Sequence, residues 1–158
     1  MRQIQHFSRI KFILLAHTVF KMKKNLSSII RHANTTLLVN GELDSVDEFF
    51  TQNYTVHLTG RILEGGHPLV KRILGKLRNS FADIQVDVDI LLEGEERVAW
   101  QRVIRGTHQS PFKGFPASGL QIIWRDMVTS HFYNGLISEE WVLTDLAEQL
   151  LLARKRKS

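Results

Sequence analysis

Cysteine is missing from the 158-residue sequence, so the chain has no disulfide, no thiolate nucleophile and no thiolate metal ligand. No apolar run reaches the roughly 18 residues that a membrane-spanning helix needs. The seven histidines are dispersed, without the helical spacing of a zinc site. Neither a serine-hydrolase elbow nor a phosphate-binding glycine loop is present. We therefore expect no metal, cofactor or membrane, and the lack of cysteine fits a cytoplasmic protein.

Charge is divided unevenly along the chain. The net charge is +5, but six of the 21 Lys and Arg residues lie in residues 1–24, and four lie in residues 154–157. The body, residues 25–153, holds the other 11 together with all 16 acidic residues, a balance of −5. A nucleic-acid-binding domain carries its positive charge on a folded face, so nucleic acid is not expected as a partner.

The sequence predicts one domain with a basic segment at each end. Residues 1–24 are interpreted as a basic N-terminal extension, with Met22 as an alternative start, and residues 154–158 as a basic tail. The apolar stretch 12–20 could belong to a signal peptide, but His17 interrupts it and lysines occupy the place of a cleavage site. The remaining segment, 25–153, is long enough to bury a core of its own.

Hydrophobic patterns predict helices first and long strands second. Apolar residues at three- and four-residue spacing predict helices, and alternation of apolar and polar residues predicts strands. Two apolar runs broken at Asn134-Gly135 predict a hairpin, because both turn residues tolerate positive φ. The predicted elements are a helix at 25–39, a short helix with a capping pair at Ser45 and Glu48, a strand at 54–58, a helix at 68–81, strands at 84–92 and 97–108, the hairpin, and a helix at 146–153. This order favours an α+β domain in which helices cover the concave side of a curved antiparallel sheet.

Over roughly residues 25–153 the chain resembles the SnoaL-like polyketide cyclases, or ester cyclases, of the nuclear transport factor 2-like (cystatin-like) superfamily, and its C-terminal third carries the motifs. The resemblance rests on Gly106-Thr107-His108, the loop 112–119, Trp124, the turn 134–137 and the run Glu139-x-Trp141-x-x-x-Asp145. It implies a cone-shaped pocket between the N-terminal helices and the curved sheet. It also implies cofactor-free intramolecular aldol condensation of a small apolar carbonyl compound, and a homodimer.

Asp145 and His131 are the predicted catalytic residues. The resemblance assigns the acid/base role to Asp145, and a carboxyl in an apolar pocket has the raised pKa that this role needs. Alternatively, Asp145 caps the helix that follows it. His131 could stabilise an enolate, or it could be a half-exposed strand residue. A strict two-residue turn places the two residues on opposite sheet faces, whereas a bulge would place them on the same face.

Other residues are predicted to bind substrate or to form the pocket wall. They are His57, His108, Trp100, Trp124, Met127 and Trp141. Asp126 or Glu139 could be a second buried acid, although a salt bridge to Arg102, Arg105 or Arg125 is the more common outcome for such a group.

Two classes of function stay open at this stage. The first is a cofactor-free cyclase or isomerase that uses Asp145 and His131. The second is a non-catalytic module that binds a small ligand or forms a dimer, with Ile123, Met127 and Val142 as interface residues. A third possibility, an epoxide hydrolase of the same superfamily, needs an Asp-Arg-Asp set that the sequence does not place.

Overall fold

A computed structural model describes residues 25–156. The predicted N-terminal extension and the last two residues of the basic tail lie outside this range. The helices are α1 (Leu26–Ala33), a π-helical continuation (Asn34–Asn40), a 3-10 helix (Leu43–Glu48), α2 (Gly66–Ser80) and α3 (Leu146–Arg156). The strands are β1 (Phe50–Leu58), β2 (Arg61–Glu64), β3 (Phe81–Glu93), β4 (Arg97–His108), β5 (Gln121–Tyr133) and β6 (Leu136–Thr144). Within the described residues, no helix has the length and apolarity to cross a membrane.

The six strands form one curved, unclosed sheet in the order β2-β1-β6-β5-β4-β3. The structure combines these helices with one curved sheet, which confirms the predicted α+β class. The sheet is not antiparallel throughout, because β1 pairs with β6 in parallel while the other neighbouring strands are antiparallel. The short strand β2 is an additional element that the sequence did not predict.

The two faces of the sheet differ in burial. In β5 every second residue is buried, and these residues define the concave face. They are Ile122, Trp124, Asp126, Val128, Ser130 and Phe132. The residues between them define the outer face, where Ile123 and Met127 are exposed. This period of two follows from the alternation of side chains along a strand.

The β5–β6 hairpin contains a bulge that determines which β6 side chains point to the concave face. Asn134 and Gly135 have φ values of 52° and 78°, as a type I′ turn requires. Phe132 pairs with Ile137, but His131 pairs with Glu139, so β6 has one extra residue at Ser138. Beyond this bulge every β6 side chain moves to the opposite face from the one that a strict two-residue turn would give.

The first helix widens where it meets the sheet. It is α-helical to Ala33 and π-helical from Asn34 to Asn40, and Gly41 ends it with a left-handed φ of 81°. The Arg78 guanidinium donates to the carbonyl oxygens of Leu38 and Val39 at 2.5 and 2.7 Å. These bonds satisfy backbone acceptors that the helix end leaves free.

Candidate active site

A cavity of about 1140 Å³ lies between the concave face of the sheet and the helices. Most of its lining is aliphatic and aromatic and comes from the two buried clusters of the core. A few polar side chains reach the deep part of the cavity: Asn34, Tyr54, Arg102, Asp126 and Glu140. A large apolar cavity with a few convergent polar groups is the usual form of a small-molecule site.

Glu140 is a buried carboxyl that accepts two hydrogen bonds. The Tyr54 hydroxyl donates to Oε2 at 2.8 Å, and the Ser130 hydroxyl donates to Oε1 at 2.5 Å. Burial raises the pKa of Glu140 above its ordinary value, and the negative charge of Asp126 adds to the increase. The bonds from Ser130 and Tyr54, together with the charge of Arg102, oppose the shift without cancelling it. Glu140 is thus a carboxyl whose protonated form the cavity favours.

Tyr54 is suited to donate a hydrogen bond to the Glu140 carboxyl. Its side chain is buried, and burial followed by the neighbouring Glu140 raises its pKa well above the ordinary value. The phenol therefore stays protonated and can donate a hydrogen bond at any pH at which the protein works.

Asp126 lies on the same face in a different environment. Its Oδ2 accepts from Arg102 Nε at 2.8 Å, and both side chains are largely buried. The same guanidinium donates through Nη1 to Asn34 Oδ1 at 2.8 Å. Asn34 is the first residue of the π-helical segment, and its own amide donates to the Ile30 carbonyl. Asp126 Oδ1 is buried and has no hydrogen-bond partner among the described residues, so this carboxylate oxygen has an unused lone pair.

Trp100 joins these two polar groups. Its indole Nε1 donates to Ser130 Oγ at 2.9 Å, and the Arg102 guanidinium carbon lies 5.5 Å from the centre of its ring. Asp126 pairs with Thr144, four residues beyond Glu140 on β6. The two backbone positions are therefore offset along the strands, with Trp100, Val128 and Val142 also lining the cavity, and the carboxyl groups are close enough for the charge of Asp126 to raise the pKa of Glu140.

Asp145 and His131 both lie outside the lining of this cavity. The Asp145 carboxylate accepts from the Arg125 backbone N–H at 2.7 Å and from the Gln149 amide at 3.3 Å. His131 is on the outer face, with Nε2 3.8 Å from the exposed Glu96 carboxylate. His131 thus lies on the outer face, and Asp145 lies in the loop between β6 and α3. Their catalytic roles stay predictions, and the geometry brings different groups into the cavity.

The outer face also holds three of the residues that were predicted to bind substrate. His57 stacks on Trp141 with ring centres 4.8 Å apart, and its Nε2 lies 2.7 Å from Glu139. Met127 is 45% exposed and pairs with Leu143 across the hairpin. Val142, predicted at an outer interface, is instead buried in the cavity wall.

The other predicted pocket residues lie inside the protein. Trp100 and Trp124 line the main cavity. His108 lines a separate cavity of about 170 Å³ beneath the loop 115–118 and stacks on Phe81. Burial lowers the pKa of His108, with the Ser110 backbone opposing this effect. Of the two acids considered, Asp126 is the buried one, and it forms the expected salt bridge to Arg102.

Sequence reasoning missed Glu140 and Tyr54. With a strict two-residue turn, the Glu139 and Trp141 side chains would lie on the concave face. The bulge at Ser138 places the Glu140 and Val142 side chains there instead. Tyr54 alternates with Val56 as the buried residues of β1, and this pattern could have identified it. Among the described residues, no three His, Asp or Glu side chains converge as a metal site would require.

The fold is similar to that of several solved structures. A candidate polyketide cyclase from Acidithiobacillus ferrooxidans superposes with a TM-score of 0.72 at 22% identity, covering 85% of this chain and 99% of that chain. IdmH from Streptomyces antibioticus, also a candidate polyketide cyclase, has a TM-score of 0.69 at 23% identity, covering 83% and 99%. A SnoaL-like polyketide cyclase from Agrobacterium tumefaciens has a TM-score of 0.66 at 22% identity, covering 85% and 98%. These similarities show that the chain shares the α+β fold of these proteins, with one curved, unclosed sheet.

The sequence profile of the SnoaL-like polyketide cyclases matches residues 28–151. The chain therefore belongs to this family, as the resemblance predicted. No curated protein sequence matches the chain. Family and fold together support a function of the cyclase or isomerase type.

Proposed function

We propose that the protein is a cofactor-independent acid/base catalyst that performs an aldol-type or isomerase-type reaction on a small apolar carbonyl compound. One observation carries the proposal: two carboxyl groups, Asp126 and Glu140, face one mainly apolar cavity from neighbouring strands in different environments. Pairs of acids in contrasting environments are the usual basis for separate acid and base roles at one pH.

Asp126 is the proposed base. Its Oδ1 has no partner among the described residues, while the bond from Arg102 to Oδ2 fixes the orientation of the carboxylate. This oxygen takes a proton from the carbon next to the substrate carbonyl, and the electron pair of the broken C–H bond forms an enolate. In an aldol reaction the enolate carbon then attacks a second carbonyl of the same molecule.

Glu140 is the proposed acid, and Tyr54 supports it. Burial raises the pKa of Glu140 and so favours its protonated form. This proton is available to the oxygen on which negative charge develops. Tyr54 donates to Glu140 and retains its proton, so it stabilises the carboxylate that remains after transfer. The proton held on Asp126 returns to solvent and Glu140 is reprotonated, which restores both groups.

The test is exchange of hydrogen for deuterium next to a carbonyl, because this step precedes both aldol closure and isomerisation. Acetophenone in D₂O is the first probe, and loss of its methyl proton signal is followed by NMR. We expect the wild type to accelerate exchange and the Glu140→Gln variant to lose roughly 100-fold or more of that acceleration. Glu139→Gln is the matched control, because its carboxylate lies on the outer face beside His57. Binding of the probe without exchange would favour the non-catalytic ligand-binding alternative.

A second candidate reaction is the ring-opening hydration of an epoxide. It is favoured by Arg102, which contacts the Asp126 carboxylate and whose charge acts on the buried Glu140. This arrangement supplies a carboxyl-arginine-carboxyl set, with Glu140 in one acidic position. Hydrolysis of styrene oxide that depends on Glu140 but not on Glu139 would support it, and absence of such hydrolysis alongside ketone exchange would exclude it.

A further inference from the structure

Four basic residues of the cavity lining are exposed to solvent. Arg61 on β2, Arg72 and Lys76 on α2, and Lys113 in the loop after β4 all line the cavity and are all exposed. We call these four residues the basic mouth. The acidic residues of the cavity lining are Asp126 and Glu140, and both are buried in its deep part. The mouth is therefore positive, although the segment 25–153 has 11 basic residues against 16 acidic ones.

These cations lack the partners that other basic residues of the domain have. Lys71, one residue before Arg72, pairs with Asp44 at 2.7 Å, and Arg105 pairs with Asp87. In the part of the chain that the structure describes, the side chains of Arg61, Arg72 and Lys76 have no hydrogen bond and no ion pair. Arg72 and Lys76 are also four residues apart on one helix, a spacing at which like charges destabilise the helix.

Lys113 is held at the mouth by a tight turn. Phe112 and Phe115 exchange two backbone hydrogen bonds, of 3.0 and 2.9 Å, around Lys113 and Gly114. Both turn residues have positive φ, 47° and 85°, which is uncommon for lysine and ordinary for glycine. The buried Phe112 ring packs against Phe81 and lies beneath the Lys113 ammonium group at 5.6 Å. The chain thus fixes a cation at this edge in a backbone conformation that lysine disfavours.

We infer that the ligand of this cavity is amphipathic, with an apolar body inside and a terminal anionic group, such as a carboxylate, held by the basic mouth. The inference rests on the proposed function in one respect, namely that the cavity receives the substrate. Its physical basis is that four unneutralised cations at an opening attract anions and orient the end that stays in solvent. Esterification of that anionic group should therefore weaken binding, whereas shortening the apolar body should weaken binding for a different reason.

Two fluorescent probes with closely similar apolar bodies test the inference. They are 8-anilinonaphthalene-1-sulfonate, which is anionic, and N-phenyl-1-naphthylamine, which is neutral. The variant Arg72→Gln/Lys76→Gln removes two cations from the mouth. The control variant Arg125→Gln/Lys155→Gln also removes one Arg and one Lys, both exposed and outside the cavity lining. Dissociation constants are measured by fluorescence titration at low and at physiological salt.

We expect the mouth variant to weaken binding of the anionic probe by about five- to tenfold at low salt, while binding of the neutral probe changes by less than about twofold. Added salt should reduce the difference. Equal losses for both probes, or the same loss of the anionic probe in the control variant, would overturn the inference and leave the proposed chemistry intact. Binding of neither probe to the wild type would overturn both, because the cavity would then be closed to ligands. Retained probe binding with no dependence of ketone exchange on Glu140 would overturn the proposed function alone.

Discussion

Replacing Glu140 by Gln should abolish activity, while the stability of the variant relative to wild type increases with pH. The raised pKa of this buried carboxyl means that the folded state binds its proton more tightly than the unfolded state does. The contribution of Glu140 to stability is therefore most favourable below the ordinary carboxyl pKa of 4.5, and it declines as pH rises to the raised value in the folded protein. Above that value the full cost of ionising a buried carboxyl is present.

Gln has almost the same shape and cannot ionise. It can accept only one of the two hydrogen bonds that Tyr54 and Ser130 donate to Glu140, and losing one such bond costs about 0.5–1.5 kcal/mol. This cost does not depend on pH. Gln also removes the cost of ionising a buried carboxyl. In the wild type this cost grows as pH rises, and its full size is about 1.4 kcal/mol for each unit by which the pKa is raised. The stability of the variant relative to wild type should therefore increase between pH 4.5 and neutrality.

The assay is urea denaturation followed by circular dichroism, at pH values from 4 to 8. Glu139→Gln serves as the control, since its half-exposed pair with His57 is of the kind that contributes no more than about 1 kcal/mol. We expect the relative stability of Glu140→Gln to rise with pH while its catalysis of ketone exchange is lost. A difference that is constant or that falls with rising pH would refute the assignment of Glu140 as a carboxyl destabilised by burial.

Three further predictions concern the site, the backbone and the assembly. Asp126→Asn should lower ketone exchange by roughly 100-fold or more, whereas Asp145→Asn should retain it; the reverse order would favour the residue that the sequence predicted. Gly66→Ala should abolish folding as judged by circular dichroism, because an added Cβ would lie 1.8 Å from the Gln52 carbonyl oxygen. Gly60→Ala, with open space around the Cβ, should cost only about 1–2 kcal/mol in thermal melts. The predicted homodimer should appear in sedimentation velocity at micromolar concentration, and a single monomeric species would contradict it.

Most of the fold could be predicted because its patterns are local. Alternation along Arg97–His108 gives the strand with the observed bounds, and Asn134-Gly135 forms the predicted turn. The short strand Arg61–Glu64 was missed, because three of its four residues are exposed or charged and it pairs with only one neighbour. The parallel pairing of β1 with β6 joins segments about 85 residues apart, and no local pattern encodes such a contact.

The site was harder to predict because it depends on a single inserted residue. Without the bulge at Ser138, Glu139 would share the concave face with Asp126; with it, Glu140 does. The sequence around this point, Ile-Ser-Glu-Glu-Trp, contains acids at both parities and so leaves the choice open. The short loop between β6 and α3 presents a similar difficulty, since Asp145 could either face the cavity or bind backbone groups. The position of the Arg125 amide decides this, and it is known only from the three-dimensional structure.

The most direct test of this account is a ¹³C NMR titration of the side-chain carboxyl groups in protein labelled at Glu. The Glu140 resonance is assigned as the one that disappears in Glu140→Gln and persists in Glu139→Gln. We predict that it titrates at a pH clearly above 4.5, the ordinary value for a glutamate, and that a neutral apolar ligand in the cavity raises the titration further by excluding water. The proposal that this buried carboxyl is the acid of the site would be contradicted if the Glu140 resonance titrated at or below the ordinary value. It would also be contradicted if the ligand left the titration pH of this resonance unchanged.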